Sequence, residues 1–311
     1  MTNAVVAIGG NAILRKGEAA TVENQMNNLR RTCAPLARMV KEGYGVTLVH
    51  GNGPQVGNIL LQNEIAREEV PPMPLDVCVA QSQGQIGLML QQAMTEALYK
   101  EGISRTVVCL LTRVMVDPAG QNPTPSKPIG PYYGSEGLER LRLNNWTISE
   151  DRARGGWRRI VPSPRPLSII EGGAVRSLVA TGEYVVIAAG GGGVPVTKCH
   201  NHLCGVEAVV DKDLAAQVLA RCIGDELLIM LTDVDAAYLD YKTPIQRGIG
   251  ETTAAEMRTY LEQGHFAPGS MAPKVEAGVE FTSSTGHTSI ITTPELLDNA
   301  LKSKAGTRII A

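Results

Sequence analysis

The sequence predicts an α/β protein in which a mostly parallel sheet is covered by helices on both faces, a three-layer αβα arrangement. Two observations carry that prediction. Short runs of β-branched and apolar residues alternate with longer amphipathic stretches, and glycines collect where the apolar runs end. Composition agrees: 43% of the 311 residues are apolar and 19% are charged, enough to bury a sizeable core and without a disorder signature. Thirty-three glycines against two Phe and two Trp point to many tight turns and close backbone approaches.

Taken in chain order, "AVVAI" (4–8) reads as a buried strand that exits into "GGNA". An amphipathic helix over 22–42 returns the chain to "GVTLVH" (45–50), which exits into "GNGPQVG". Helical patterns over 54–68 and 76–100 precede the strand "TVVCLL" at 106–111. The rhythm then breaks: 116–134 is rich in Pro and Gly, and 150–166 carries Arg, Gly and Trp. This region, 116–166, reads either as a surface excursion or as a lid, with Lys127 set among prolines. A helix over 172–182 and the strand "YVVIAA" (184–189) lead into a third glycine exit, "AAGGGGVPV". Helix 211–223, strand 226–231, helix 252–263, a helix opened by 269–281, strand 288–292 and helix 294–302 complete the series.

In open α/β sheets the ligand lies beyond the carboxyl ends of the strands. Three glycine-rich exits at that edge let backbone N–H groups approach an anion, so a phosphate site is expected there. The usual phosphate motifs are absent. There is no G-x-x-x-x-G-K-[ST], and "GNGPQV" has Val56 where a dinucleotide fingerprint needs its third glycine. No H-R-D or D-F-G set, G-x-S-x-G elbow or H-E-x-x-H pattern occurs. A net charge of −2 and a pI of about 6.2 suggest neither nucleic acid nor an anionic membrane as partner. The start has no basic n-region, and no apolar run approaches a membrane span, so a soluble cytoplasmic protein is expected.

What chemistry remains lies at helix starts. "VVDKDLAAQ" (209–217) opens a helix with Asp211, Lys212 and Asp213, and "GSMAPKVEAGVEF" (269–281) places Lys274 just after Pro273. Asp211 has a structural explanation as a cap and a functional one as part of a site. Lysine is disfavoured at a helix N-terminus, so Lys212 and Lys274 need another reason, and an anion bound at the same positive ends supplies it. In "LTDVDAAY" (231–238), Asp233 and Asp235 read as turn residues or, with Tyr238, as the edge of a nucleotide pocket.

With these stretches assembled, the chain resembles the carbamate kinases of the amino-acid kinase superfamily nearly end to end. The shared stretches include "HGNGPQVG" (50–57), "PLDVCVAQSQGQIG" (74–87), "SKPIGPYY" (126–133), "RGGWRRIVPSPRP" (154–166), "GVEAVVDKDLAA" (205–216) and "GHFAPGSMAPKVEA" (264–277). The resemblance implies an open αβα sandwich with a small protruding lid subdomain, forming a single domain over 1–311 and assembling as a homodimer. It implies reversible phosphoryl transfer between ATP and carbamate, with Mg²⁺ accompanying ATP or ADP and no metal held by the protein alone. Residues 1–210 would hold carbamate or carbamoyl phosphate, and residues 211–311 the nucleotide. Gly9, Gly10, Asn11, Gly51, Asn52 and Gly53 would surround the phosphoryl group, with Lys127 reaching in from the lid. Lys212 and Lys274 would neutralise the transferring group, with Asp213 organising them. Thr232, Asp233, Val234, Tyr238 and Met271 would line the ADP pocket with Lys274. Superfamily relatives such as acetylglutamate kinases carry a lysine two residues before the Gly-Gly; here that position is Ala7, which favours the carbamate branch. The lid reads "NPTPSKPIGP" (122–131) where the family pattern is closer to "NPTKPIGP", so extra residues precede Lys127. The alternatives are another small carboxylate or phosphate as acceptor, and a sensor that has lost chemistry.

One stretch competes for attention. "KCHNHLCG" (198–205) sets Cys199, His200, His202 and Cys204 close together. A two-residue hairpin turn at His200-Asn201, with Asn201 taking the left-handed conformation, would pair Cys199 with His202 and Thr197 with Cys204. Three ligands would then share a face, one short of a tetrahedral structural zinc site. All six cysteines read as reduced thiols.

Overall fold

The computed structural model describes residues 2–15, 17–117, 127–134, 146–150 and 156–311. In chain order the strands are β1 (Asn3–Ile8), β2 (Gly45–His50), β3 (Thr106–Cys109), β4 (Arg113–Val116), β5 (Lys127–Tyr133), β6 (Ile148–Glu150), β7 (Trp157–Val161), β8 (Pro166–Ile169), β9 (Tyr184–Ile187), β10 (Val194–Cys199), β11 (His202–Gly205), β12 (Leu227–Leu231), β13 (Ala237–Leu239), β14 (Arg247–Ile249), β15 (Glu251–Thr253), β16 (Thr288–Thr292) and β17 (Thr307–Ile310). The helices are α1 (Val22–Lys41), α2 (Gly53–Ile65), α3 (Leu75–Lys100), α4 (Gly172–Thr181), α5 (Lys212–Ile223), α6 (Ala254–Glu262), α7 (Met271–Thr285) and α8 (Leu297–Leu301).

Among the described residues, the central sheet has eight strands in the order β15-β17-β16-β12-β1-β2-β9-β3. Every pairing in it is parallel except β16 with β17. All six strands expected from apolar runs lie in this sheet. Their side chains alternate between two cores, as a doubly covered strand requires. In β1, Ala4, Val6 and Ile8 join the core under α1 and α3, whereas Val5 and Ala7 join the core under α5 and α7. β12 divides the same way, with Leu227, Ile229 and Leu231 on one side and Leu228 and Met230 on the other. Three layers follow from that alternation.

A second sheet, β11-β10-β4-β8, adds β4 and β8 to the expected hairpin, and a small sheet, β5-β7-β6, lies outside the expected set. The small sheet falls within the lid region read from its Pro and Gly content. The residues immediately before Lys127, which include the departure from the family pattern, lie outside the described residues. The expected strands at 106–111 and 184–189 stop at Cys109 and Ile187, where the chain leaves the sheet. Helix 54–68 runs from Gly53 to Ile65, and 294–302 divides into a 3₁₀ turn, Pro294–Leu296, and α8.

The hairpin needs two corrections. β10 and β11 pair in the expected register, Thr197 with Cys204 and Cys199 with His202. The left-handed tip residue, however, is His200 at φ 51°, not Asn201. Cys199 and Cys204 are not free thiols: they form a disulfide across Cα atoms 5.8 Å apart. The register explains it, because residues diagonal on one face of a hairpin lie within bridging range. Both sulfurs are thereby withdrawn from the three-ligand set, and among the described residues no group of three or more His, Cys, Asp or Glu is arranged to hold a metal ion. Cys33, Cys78, Cys109 and Cys222 are free. Among the described residues, no helix is long and apolar enough to cross a membrane.

Candidate active site

The carboxyl ends of β1, β2, β9 and β12 open on one cleft of about 640 Å³. All three glycine exits reach it, through Gly9, Gly10, Gly51, Gly53 and Gly191. Their closeness has specific causes. A Cβ on Gly51 would stand 3.2 Å from Cδ of Lys212, so a bare backbone there gives that lysine its path into the cleft. Gly191, at φ +66°, has no room for a Cβ beside the Asn52 amide. The third exit is therefore largely a packing surface for the second. The N–H of Gly51 is already committed to the Ile8 carbonyl at 3.1 Å. Asn52 lines the cleft, and its side-chain nitrogen donates to the Ser82 hydroxyl at 2.8 Å.

At the cleft floor α5 begins. Asp211 is its N-cap, accepting from the Asp213 N–H at 2.9 Å. Lys212 is the first helical residue, and its Nζ donates to both oxygens of Asp213 at 2.8 and 2.9 Å. Lys274, from the first turns of α7, donates to the same carboxylate at 3.0 Å. One aspartate, 2% exposed, thus holds two ammonium groups that are themselves 9% and 8% exposed. Burial lowers the Lys212 pKa, with the positive charge of Lys274 adding to that and Asp213 opposing it. Burial pulls on Lys274 too, but the two aspartates overcome it and raise its pKa.

Lys127 enters from β5. Its Nζ donates to Asp211 at 2.7 Å and to the Val210 carbonyl at 3.4 Å. Burial would raise the Asp211 pKa, but Lys127, Lys212 and Lys274 hold it well below the usual carboxylate range. The sequence suggested Asp211 as a cap but not as the partner of Lys127, because 84 residues separate them. Arg158 also lines the cleft; it sits in the "RGGWRRIVPSPRP" stretch, but its type alone does not set it apart from its neighbour Arg159. Three ammonium groups face two carboxylates in this connected cluster. The excess positive charge, in a poorly hydrated place, suits an anion.

On the far side, Asn11 donates to Asp233 at 2.8 Å and so bridges the exits of β1 and β12. Thr232 and Asp233 line the cleft. Val234, Tyr238 and Met271 are not in the cleft lining among the described residues. Tyr238 donates its hydroxyl to Asp235 at 2.6 Å, and its ring lies against Gly248 and Tyr241. Met271 packs against the core beneath α7. His50, fully buried, has its pKa lowered to about 4 by burial and is neutral near pH 7; its Nδ1 lies 3.0 Å from the Gly51 carbonyl. It supports the loop from behind.

The carboxylates also bear on Mg²⁺. Asp211 and Asp213 are taken up by lysines, which leaves Asp233 and Glu295 as cleft carboxylates, Asp233 held among the described residues by an amide and a hydroxyl. That donor set fits an ion that arrives on phosphate oxygens and takes at most a carboxylate or two from the protein, as Mg²⁺ commonly does.

The sequence model of the amino acid kinase family matches residues 3–293. A carbamate kinase of Thermococcus kodakarensis is 43% identical over 317 aligned positions, covering 100% of this chain and 99% of the relative. This chain belongs to the amino acid kinase family, in its carbamate kinase branch. A carbamate kinase of Trichomonas vaginalis is 44% identical, over 98% of both chains. The structure of the Giardia lamblia carbamate kinase bound to AMP-PNP superposes with a TM-score of 0.91 at 41% identity, over 99% of this chain and 98% of that one. The same kinase bound to citric acid gives a TM-score of 0.93 at 40% identity. The family match spans every cleft residue named above except Glu295.

Proposed function

We propose that this chain transfers a phosphoryl group reversibly between ATP and carbamate, so that carbamoyl phosphate and ADP yield ATP and carbamate. The observation that carries the reading is the buried Lys212–Asp213–Lys274 cluster at the meeting point of the glycine exits. The full-length likeness to carbamate kinases supports it.

Phosphoryl transfer is achieved chiefly by positioning and charge neutralisation. Lys212 and Lys274 approach the transferring group from two sides, and Asp213 keeps their mutual repulsion from driving them apart. Gly9, Gly10, Asn11, Gly51, Asn52 and Gly53 enclose the phosphoryl group, and Lys127 leaves Asp211 to meet carbamoyl phosphate. Residues 1–210 thereby serve the carbamate side, and residues 211–311 serve the nucleotide through Thr232, Asp233 and Lys274. Val234, Tyr238 and Met271 would meet only the part of the nucleotide beyond its phosphates. Mg²⁺ carried by the nucleotide, with Asp233 as its protein contact, would neutralise further phosphate charge. Carbamate is already an anion, so its oxygen attacks without a general base. In the other direction it leaves as the anion, and an in-line displacement needs no covalent enzyme intermediate. Carbamate and carbamoyl phosphate both decompose in water, which gives closure over the cleft a purpose. We assign the working protein to the cytoplasm as a homodimer.

Incubating the protein with ADP, Mg²⁺ and carbamoyl phosphate and measuring ATP tests the reading. Enzyme-dependent ATP is expected. ATP no higher than the spontaneous background contradicts it.

A further inference from the structure

Glycine inside a helix costs roughly 0.5–1 kcal/mol relative to alanine, so one that is buried there calls for a reason. Gly57 lies in α2, and a Cβ on it would overlap Cα and N of Gly130 in β5. Gly130 stands at φ +76°, a backbone that favours glycine, where the β5–β7 register shifts between Ile129 and Tyr133. Its carbonyl accepts twice from Arg158 of β7, from Nε at 3.1 Å and Nη2 at 2.8 Å. One point of β5 is thus pressed against the backbone of α2 and clamped by a guanidinium. Beside it, Ile129 and Val161 are buried in a small apolar cluster with Val56 and Leu60 of α2. Three residues before Gly130 is Lys127, whose Nζ rests on Asp211.

We propose that Gly57 and Arg158 are positioning residues that seat β5 on α2 and thereby hold Lys127 over the cleft. The proposal rests on the carbamoyl phosphate role assigned to Lys127. On this account, the final glycine of "HGNGPQVG" serves the lid strand and not the phosphate loop. Neither residue needs to touch substrate.

Gly57→Ala and Arg158→Gln, each alone and combined with Lys127→Ala, provide the test. Either substitution alone should raise KM for carbamoyl phosphate about tenfold or more while KM for ADP stays within about twofold. On the Lys127→Ala background, neither should raise it further by more than about twofold, because both act through that lysine. Hydrogen exchange at the amides of Lys127, Ile129 and Gly130 should quicken about tenfold, with β1 and β12 unchanged. Effects that multiply with Lys127→Ala, equal changes in both KM values, or unaltered exchange in β5 would overturn the proposal. If Gly57→Ala does not fold, Arg158→Gln carries the same comparisons. A wild-type protein that makes no ATP defeats the functional reading instead, and exchange in β5 still decides whether the two residues seat the strand.

Discussion

Asp213 and Asp225 are each 2% exposed and lie near opposite ends of the same helix. α5 has twelve residues, about 18 Å at 1.5 Å per residue. At its start, at the carboxyl edge of the sheet, Asp213 accepts from two lysines. Just past its end, at the amino edge, neither Asp225 oxygen has a hydrogen-bond partner among the described residues. Burial, with Glu226 adding to it, raises the Asp225 pKa to about 7. Equal burial therefore has different consequences. Where cations converge, a buried carboxylate organises a site; without them it is a cost to stability.

The largest expected effect falls on the cationic end. Lys212→Ala or Lys274→Ala should lower kcat about 100-fold or more, since losing one electrostatic donor costs roughly 3–4 kcal/mol. Steady-state ATP formation measures it, and a variant with full turnover breaks the assignment. Asp213→Asn should also reduce kcat, by about 10-fold or more, because two ammonium groups lose the charge between them.

Lys127→Ala should act mainly on KM for carbamoyl phosphate, with ADP binding little changed. Equal effects on both substrates would remove Lys127 from the lid role.

At the opposite end, Asp225→Asn should stabilise the protein and leave kcat within about twofold. The folded pKa of Asp225 is above its unfolded value near 3.9, so the folded state binds the extra proton. Its penalty is small at acid pH, grows as pH rises from about 4 to about 7, and is complete above that. At roughly 1.4 kcal/mol per unit, the cost reaches a few kcal/mol. Thermal melts should show a larger rise in Tm at pH 8 than at pH 5, and a rise that does not depend on pH would contradict the unpaired state. The smallest effect is expected at the hairpin: reducing Cys199–Cys204 should change kcat by less than about twofold.

The strands of the central sheet were legible where both faces are buried, because "AVVAI" or "GVTLVH" can do little else in water. β15 and β17 were not, because "ETT" and "TRII" are not continuous apolar runs like those of the other six strands. β4 and β8, and the pairing of β10 with β4, depend on contacts between segments distant in sequence. In the site, Lys212 and Lys274 stood out because a lysine at a helix start opposes the dipole. Their convergence on Asp213 came from the family resemblance, since no local pattern links positions 61 apart. The disulfide escaped because cysteine count speaks to compartment, whereas bonding here follows from hairpin register. Cys199, His202 and Cys204 were the most conspicuous cluster in the sequence, yet the charged cleft lies elsewhere.

The most direct test of the central claim is ATP formation from ADP and carbamoyl phosphate by the wild-type protein beside Lys212→Ala. The account predicts rapid ATP synthesis by the wild type and a loss of about 100-fold or more in the variant. A silent wild type, or a variant that matches it, would contradict the account.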